Sequence, residues 1–171
     1  QSSTTNLSAA RAAHLGAALL DIYCATGPLN CVTSELVGAT DLGDPRPAKL
    51  TRTARYETLL ALAEDNLRAG TSVIIVAPFT AERELGPWKI AAERLGTYAD
   101  EIVLVWLQLS PRELRERLIA RAASRDATKI ANPEALPPAI DLRPPLAPPL
   151  APDPRQPPEE PAQAICGQLI E

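Results

Sequence analysis

An arginine-rich run late in the chain contains the residues that most directly suggest chemistry. It consists of Arg112, Arg115, Arg117, Arg121 and Arg125. Arg117 and Arg121 lie one helical turn apart, and Arg125 follows at the end of the same predicted helix. Guanidinium groups bind phosphate through paired hydrogen bonds, so such a helix could close over a nucleotide and neutralise charge during phosphoryl transfer. The alternative is a solvent-exposed face whose arginines pair with Glu113, Glu116 and Asp126.

Further polar groups lie where apolar segments end. Asp21 is near the end of the apolar segment 17–23, and Thr80 and Arg83 follow the apolar residues 73–76. An aspartate at a strand end could accept a proton from a hydroxyl group, or it could cap the next helix or turn. Arg83 could hold an anionic or hydroxylated substrate, or it could be an exposed loop arginine. Thr80 belongs to the same candidate substrate loop.

The predicted elements alternate between helix and strand. Helices are predicted at 8–15, 53–68, 87–95 and 110–123, and strands at 17–23, 73–76 and 102–109. Residues 25–50 are predicted to be loop with one short helix. The first three helices end at glycines, namely Gly16, Gly70 and Gly96, and Ser110 with Glu113 forms a predicted capping box. Apolar strands that alternate with helices predict an α/β fold, a three-layer α/β/α sandwich around a parallel sheet. Ligands bind such sheets at the carboxyl ends of the strands.

The last part of the chain has a different composition. Prolines recur every two to four residues between Pro144 and Pro161, and proline cannot supply the hydrogen bonds of a central strand. We therefore expect an α/β domain at 1–130 and a proline-rich tail at 131–171 that packs on this domain or extends from it. The tail contains P-x-x-P spacing beside Arg143, which could bind an aromatic groove of a protein partner.

The composition excludes several other classes. The length of 171 residues is that of about one domain. The formal net charge of −4 argues against binding of nucleic acid by phosphate neutralisation. No apolar run approaches the roughly 18 residues that a membrane span needs. Three widely spaced cysteines form neither a disulfide framework nor a zinc pattern, which favours a cytoplasmic protein. Cys24 and Cys31 are predicted to be buried thiols.

Two stretches carry a family resemblance. ARYETLLALAEDNLRAGTSVIIVAPFTAER and EIVLVWLQLSPRELRERLIARAASRDATK resemble small P-loop kinase-like proteins, which are described as AAA-family or ATP-binding proteins. Their neighbours are chloramphenicol phosphotransferase, the zeta toxins, and the gluconate and shikimate kinases. The resemblance implies ATP and Mg²⁺ as cofactors and a lid that closes over the ATP phosphates. By this resemblance Arg121 and Arg125 contact phosphate, and Arg117 supports them.

The chain departs from the family at several functional positions. The family begins with a strand and the phosphate-binding loop G-x-x-x-x-G-K-[ST]. In the matching register Ser3 stands at the second glycine, Thr4 at the lysine and Thr5 at the magnesium-binding hydroxyl, so the fold is expected to lack its usual first strand. A slip of one residue would put Ser3 at the lysine. Tyr23 replaces the second acid of an expected D-x-D pair, and Val76 replaces an expected aspartate.

These observations leave three hypotheses. The first is an ATP-dependent phosphotransferase that acts on a small hydroxylated substrate, with Asp21 as the base. The second is a catalytically inactive relative that binds nucleotide or serves as an interaction scaffold. The third is that this sequence is a piece or an imperfect reading of an active kinase. The first implies nucleotide and small-molecule ligands, and none of them implies nucleic acid or a membrane.

Overall fold

The computed structural model describes residues 3–39, 44–106, 110, 112–113, 116, 119 and 143–149. In this part of the chain the elements are α1 Ser3–Leu15, β1 Ala18–Asp21, α2 Ile22–Leu36, α3 Pro45–Arg68, β2 Val73–Val76 and α4 Leu85–Gly96. β1 and β2 pair in parallel, from Ala18 opposite Val73 to Asp21 opposite Val76. The predicted α/β fold with a parallel sheet is therefore confirmed.

Glycines end the two helices that lead into the strands. Gly16 after α1 has φ 61°, and Gly70 after α3 has φ 79°. Glycine adopts this left-handed conformation without a steric penalty, and it turns the chain sharply after the helix. The backbone hydrogen bonds from Ala17 N to Ala12 O (2.9 Å) and from Thr71 N to Asn66 O (2.9 Å) close the two turns. Each helix therefore runs back along the strand that follows it.

The helices α1 and α3 each pack on both strands, without an extensive contact between the two helices. This is the arrangement of helices that cover opposite faces of a sheet. On α3, Leu59 and Ala63 are fully buried, as the helical spacing of its apolar residues predicts. Because α1 is about 20 Å long and each strand is about 13 Å long, the first turn of α1 reaches the carboxyl edge of the sheet.

The helix α2 corrects the prediction for residues 25–50. Gly27 and Pro28 favour a loop, yet both lie inside this 15-residue helix. Asp21 caps its N-terminus, and the helix packs against α3. Tertiary packing therefore outweighs the local preference of the Gly-Pro pair. Cys24 and Cys31 on α2 are exposed free thiols, so the prediction of buried thiols is wrong for both.

The other predicted boundaries differ in detail. α3 begins at Pro45, eight residues before its predicted start, because Asp44 caps it and proline suits a first helical turn. For the predicted strand 102–109, the described residues 101–106 contain one bridge residue, Val105, and residues 107–109 lie outside the described part. Within the described residues no helix is both long and apolar enough to cross a membrane.

Candidate functional site

Asp21 stands at the carboxyl end of β1 and caps α2. Its Oδ1 atom accepts hydrogen bonds from the backbone N–H groups of Tyr23 (2.8 Å) and Cys24 (3.3 Å). The residue is 8% exposed and lies in register with Val76 at the end of β2. The cap fixes the carboxylate at the edge where parallel α/β sheets bind ligands, and it leaves Oδ2 outside these two hydrogen bonds.

The loop after β2 contains a strained residue. Phe79 has φ 44°, in the left-handed region that costs a residue with a side chain about 1–3 kcal/mol. Tyr56 of α3 holds it in two ways. The Tyr56 hydroxyl accepts a hydrogen bond from Phe79 N at 3.0 Å, and the two rings meet edge to face at 5.9 Å. Burial, and then the negative charge of Glu82, raise the pKa of the Tyr56 hydroxyl.

Two arginines of α3 connect this helix with the loop after β2 and with the start of α2. Arg52 NH1 donates a hydrogen bond to Thr80 Oγ1 at 2.8 Å, in the loop after β2. Arg55 Nε donates to Thr26 Oγ1 at 2.7 Å, on the second turn of α2. Thr26 is buried, and its own hydroxyl donates to the carbonyl of Ile22. Positive charge therefore lies beside the ends of both strands.

Arg83 is buried, contrary to the alternative of an exposed loop arginine. It is 7% exposed, and its guanidinium carbon lies 5.4 Å from the ring centre of Trp106. The Arg83 carbonyl accepts a hydrogen bond from Leu146 N at 2.9 Å. A short proline-rich segment, 143–149, thus contacts the candidate substrate loop, with Pro145 and Ala147 buried.

Two polar atoms close to these residues have no hydrogen-bond partner among the described residues. They are Glu82 Oε2 and the indole nitrogen of Trp106, and both atoms are buried. A buried polar atom without a partner costs about 1–3 kcal/mol, so such atoms are uncommon in folded proteins. Glu82 lies in the loop that follows β2, between Thr80 and the start of α4.

The residues predicted to face the nucleotide are described only in part. Thr4 and Thr5 lie in the first turn of α1, and their role in phosphate binding stays a prediction. Arg117, Arg121 and Arg125 lie outside the described residues.

The start of the arginine-rich run is described at a few positions. The predicted capping box is confirmed, because Glu113 N donates to Ser110 Oγ at 3.2 Å and Ser110 N donates to Glu113 Oε2 at 2.9 Å. Arg112 forms an exposed ion pair with Glu116 at 2.9 Å, so this first arginine faces solvent as the alternative predicts.

The described residues fit a magnesium nucleotide only in part. The first four N–H groups of a helix have no partner within the helix, and the first turn of α1 reaches the carboxyl edge. Neither Ser3 nor Thr4 can supply the ammonium group of the family's lysine. Among the described residues there is no cluster of three or more His, Cys, Asp or Glu that could hold a metal ion. Magnesium would be held by nucleotide phosphates, with Thr5 as the candidate protein ligand that the resemblance implies.

Arg52, Arg55 and Tyr56 were not predicted from the sequence. The predicted helix begins at residue 53 and so excludes Arg52. The pair Asp44-Pro45 is a typical helix start and would have extended the helix to include Arg52. Even then, the contacts of these arginines span 28 and 29 residues, which no local pattern reveals.

The fold is that of an α/β protein, and the comparisons support the P-loop kinase-like class. The model of the AAA domain family matches residues 30–137, more than half of the chain. The chain therefore belongs to the AAA domain family of P-loop NTPase-like proteins.

A solved structure gives the same fold. The crystal structure of a candidate kinase from Chloroflexus aurantiacus J-10-fl has a TM-score of 0.66 with this chain. Sequence identity is 22%, and the match covers 97% of this chain and 88% of the other. At this identity the likeness establishes the fold alone. No curated protein sequence matches the chain significantly.

Proposed function

We propose that the chain is an ATP-dependent phosphotransferase that acts on a hydroxyl group of a small molecule. Family membership and fold support a kinase-like, nucleotide-binding role. The observation that carries the finer proposal is the Asp21 carboxylate, 8% exposed and fixed by two backbone hydrogen bonds at the carboxyl end of β1. A fixed carboxylate at this edge can accept the proton of an acceptor hydroxyl.

In this proposal each part of the site has one task. Bound MgATP supplies the phosphoryl group and the metal charge that stabilises its transfer. The acceptor oxygen bonds to the γ-phosphorus, the bond from that phosphorus to the bridging oxygen of ADP breaks, and the acceptor proton goes to Asp21. Arg121 and Arg125 neutralise charge on the transferring group, with Arg117 in support. Thr80 and Arg83 belong to the acceptor loop.

Calorimetric titration of MgATP tests the nucleotide part. We expect binding, and we expect Arg121→Ala and Arg125→Ala each to weaken it by roughly 1–3 kcal/mol. Unchanged affinity in both variants would remove the lid assignment. Acceptor-dependent formation of ADP tests the transfer step. Asp21→Asn should abolish it and leave MgATP affinity nearly unchanged.

A catalytically inactive nucleotide binder or scaffold is the second candidate. Val76 favours it, because this apolar side chain stands opposite Asp21 where a second carboxylate would help to hold the metal. The replacement of the lysine by Ser3 or Thr4 favours it as well. Binding of MgATP without ADP formation by any hydroxylated acceptor would support this candidate. The proline-rich tail would then be tested for a protein partner.

A further inference from the structure

Two arginines at the strand edge differ from others on the described surface. Arg46, Arg68, Arg94 and Arg112 each form an ion pair with a carboxylate. Among the described residues Arg52 and Arg55 contact no carboxylate, although the chain has 21 acidic residues. An arginine that has no carboxylate partner can bind an external anion, even on a protein with a net negative charge.

Both guanidinium groups are held by neutral contacts. Arg52 bonds Thr80 through NH1 and lies 5.3 Å from the ring centre of Tyr56. Arg55 bonds Thr26 through Nε and lies 5.5 Å from the ring centre of Tyr23. Each guanidinium has five N–H donors, so a single bond to threonine leaves the others able to donate elsewhere. The hydroxyl and the ring restrict the guanidinium plane, which reduces the entropy lost when an anion binds.

The positions of the two arginines point to the acceptor side of the site. They lie three residues apart, on one face of α3. Arg55 contacts residues that follow Asp21 closely in the chain, namely Tyr23 and Thr26, whereas Arg52 contacts Thr80 in the loop after Val76. The pair therefore contacts the first two turns of α2, which follow the proposed base, and the loop after β2.

We propose that Arg52 and Arg55 form an anion-binding subsite that recognises a carboxylate or phosphate group of the acceptor. The identification of the bound anion as part of the acceptor rests on the proposed function, whereas the anion site itself does not. The substrate class becomes hydroxylated acids: one hydroxyl near Asp21, and an acidic group at the arginine pair. Phosphate and carboxylate share the planar, bidentate recognition that guanidinium offers.

Three probes with one carbon skeleton test this subsite by calorimetric titration in low salt. Glycerol is neutral, glycerate carries a carboxylate, and glycerol 3-phosphate carries a phosphate. We expect the two anions to bind and glycerol not to bind. Arg52→Ala should weaken anion binding about tenfold, and the double variant Arg52→Ala/Arg55→Ala about a hundredfold. The tighter of the two anions identifies the acidic group.

Arg68→Ala is the matched control. Like Arg52→Ala, it removes one positive charge from an exposed arginine of α3, but Arg68 lies at the far end of the helix. Its anion affinity should stay within about twofold of the parent protein. Equal weakening in Arg68→Ala and Arg52→Ala would overturn the proposal, since net charge alone would then explain the binding. Anion affinity that stays unchanged in Arg52→Ala would also overturn it.

Two further measurements distinguish a failed anion subsite from a misfolded variant and from a failed phosphotransferase proposal. Arg55 is half-buried and connects α3 to α2, so the double variant is first checked by thermal unfolding. Arg52 is exposed, and Arg52→Ala alone decides the question if the double variant does not fold. MgATP is titrated separately into the parent protein. If MgATP does not bind but anions still bind in an arginine-dependent way, the phosphotransferase proposal is refuted and the anion subsite is retained.

Discussion

Asp21 has two roles that a pair of substitutions can separate: a helix cap seen in the structure and a proposed catalytic base. Asn accepts the same backbone hydrogen bonds as Asp, and both are good N-cap residues. Asp21→Asn should therefore keep the contacts to Tyr23 N and Cys24 N. It loses the favourable interaction of a negative charge with the helix N-terminus, which is about 0.3–1 kcal/mol. Asp21→Ala loses the cap itself.

The magnitude for Asp21→Ala follows from its surroundings. Loss of an N-cap costs about 0.5–2 kcal/mol, and the site is 8% exposed, so the two amide groups have little access to water. We expect Asp21→Ala to lower the free energy of unfolding by about 2–3 kcal/mol, and Asp21→Asn by at most about 1 kcal/mol. For a chain of this length each kcal/mol shifts Tm by about 2–4 °C.

The assay combines thermal unfolding with ADP formation in the presence of an acceptor. Asp21→Asn should fold nearly as well as the parent protein and lose turnover. Asp21→Ala should lose turnover and melt several degrees lower. Equal melting temperatures for the two variants would show that the cap contributes little stability. Turnover retained in Asp21→Asn would refute the assignment of Asp21 as the base.

Three other substitutions test the core, a surface network and the strand edge. Leu59→Ala should cost about 2–5 kcal/mol, because Leu59 is fully buried, whereas Leu62→Ala, at 38% exposed, should cost less than about 1 kcal/mol by thermal unfolding. The hydrogen-bonded Arg94 guanidinium lowers the pKa of Glu64 from its ordinary value of 4.5, so this contact stabilises the fold above that pH and is lost as pH falls below it. The Tm difference between the parent and Arg94→Met should therefore shrink between pH 6 and pH 3, and a constant difference would contradict the pairing. Val76→Asp puts a second carboxylate opposite Asp21. Repulsion between the two carboxylates should lower Tm by several degrees in the presence of a chelator. Millimolar Mg²⁺ should restore part of the lost Tm in the variant and leave the Tm of the parent protein unchanged.

The sequence was sufficient to predict the features that depend on neighbours in the chain. Apolar runs predicted both strands, and glycines marked the ends of α1 and α3. Asp21 was predicted at a strand end, and the capping box of Ser110 was predicted from its spacing to Glu113. Each of these rests on residues within a few positions of one another, where backbone preference and hydrogen-bond geometry decide the structure.

The features that the sequence did not predict depend on tertiary contacts. α2 retains Gly27 and Pro28 because packing on α3 stabilises it beyond the local preference of these residues. Arg55 meets Thr26 only after the chain has passed through the rest of α2 and reached α3, 29 residues further on. The burial of Arg83 likewise depends on Trp106, which is distant in sequence. Such contacts are set by how elements pack, which periodicity does not encode.

The departures from the family pattern and the arginine pair both make the carboxyl edge of the sheet less negative. The resemblance implies acids at the positions of Tyr23 and Val76, and this chain has a phenol and an aliphatic side chain there. Removing negative charge from the strand ends would weaken metal binding, but it would also favour an anion beside Arg52 and Arg55. Tyr23 now contributes a ring face to Arg55 at 5.5 Å in place of a carboxylate that would neutralise it. The tyrosine at position 23 thus leaves Arg55 available to an external acid, while Val76 argues against catalysis, so anion binding and MgATP binding must be measured separately.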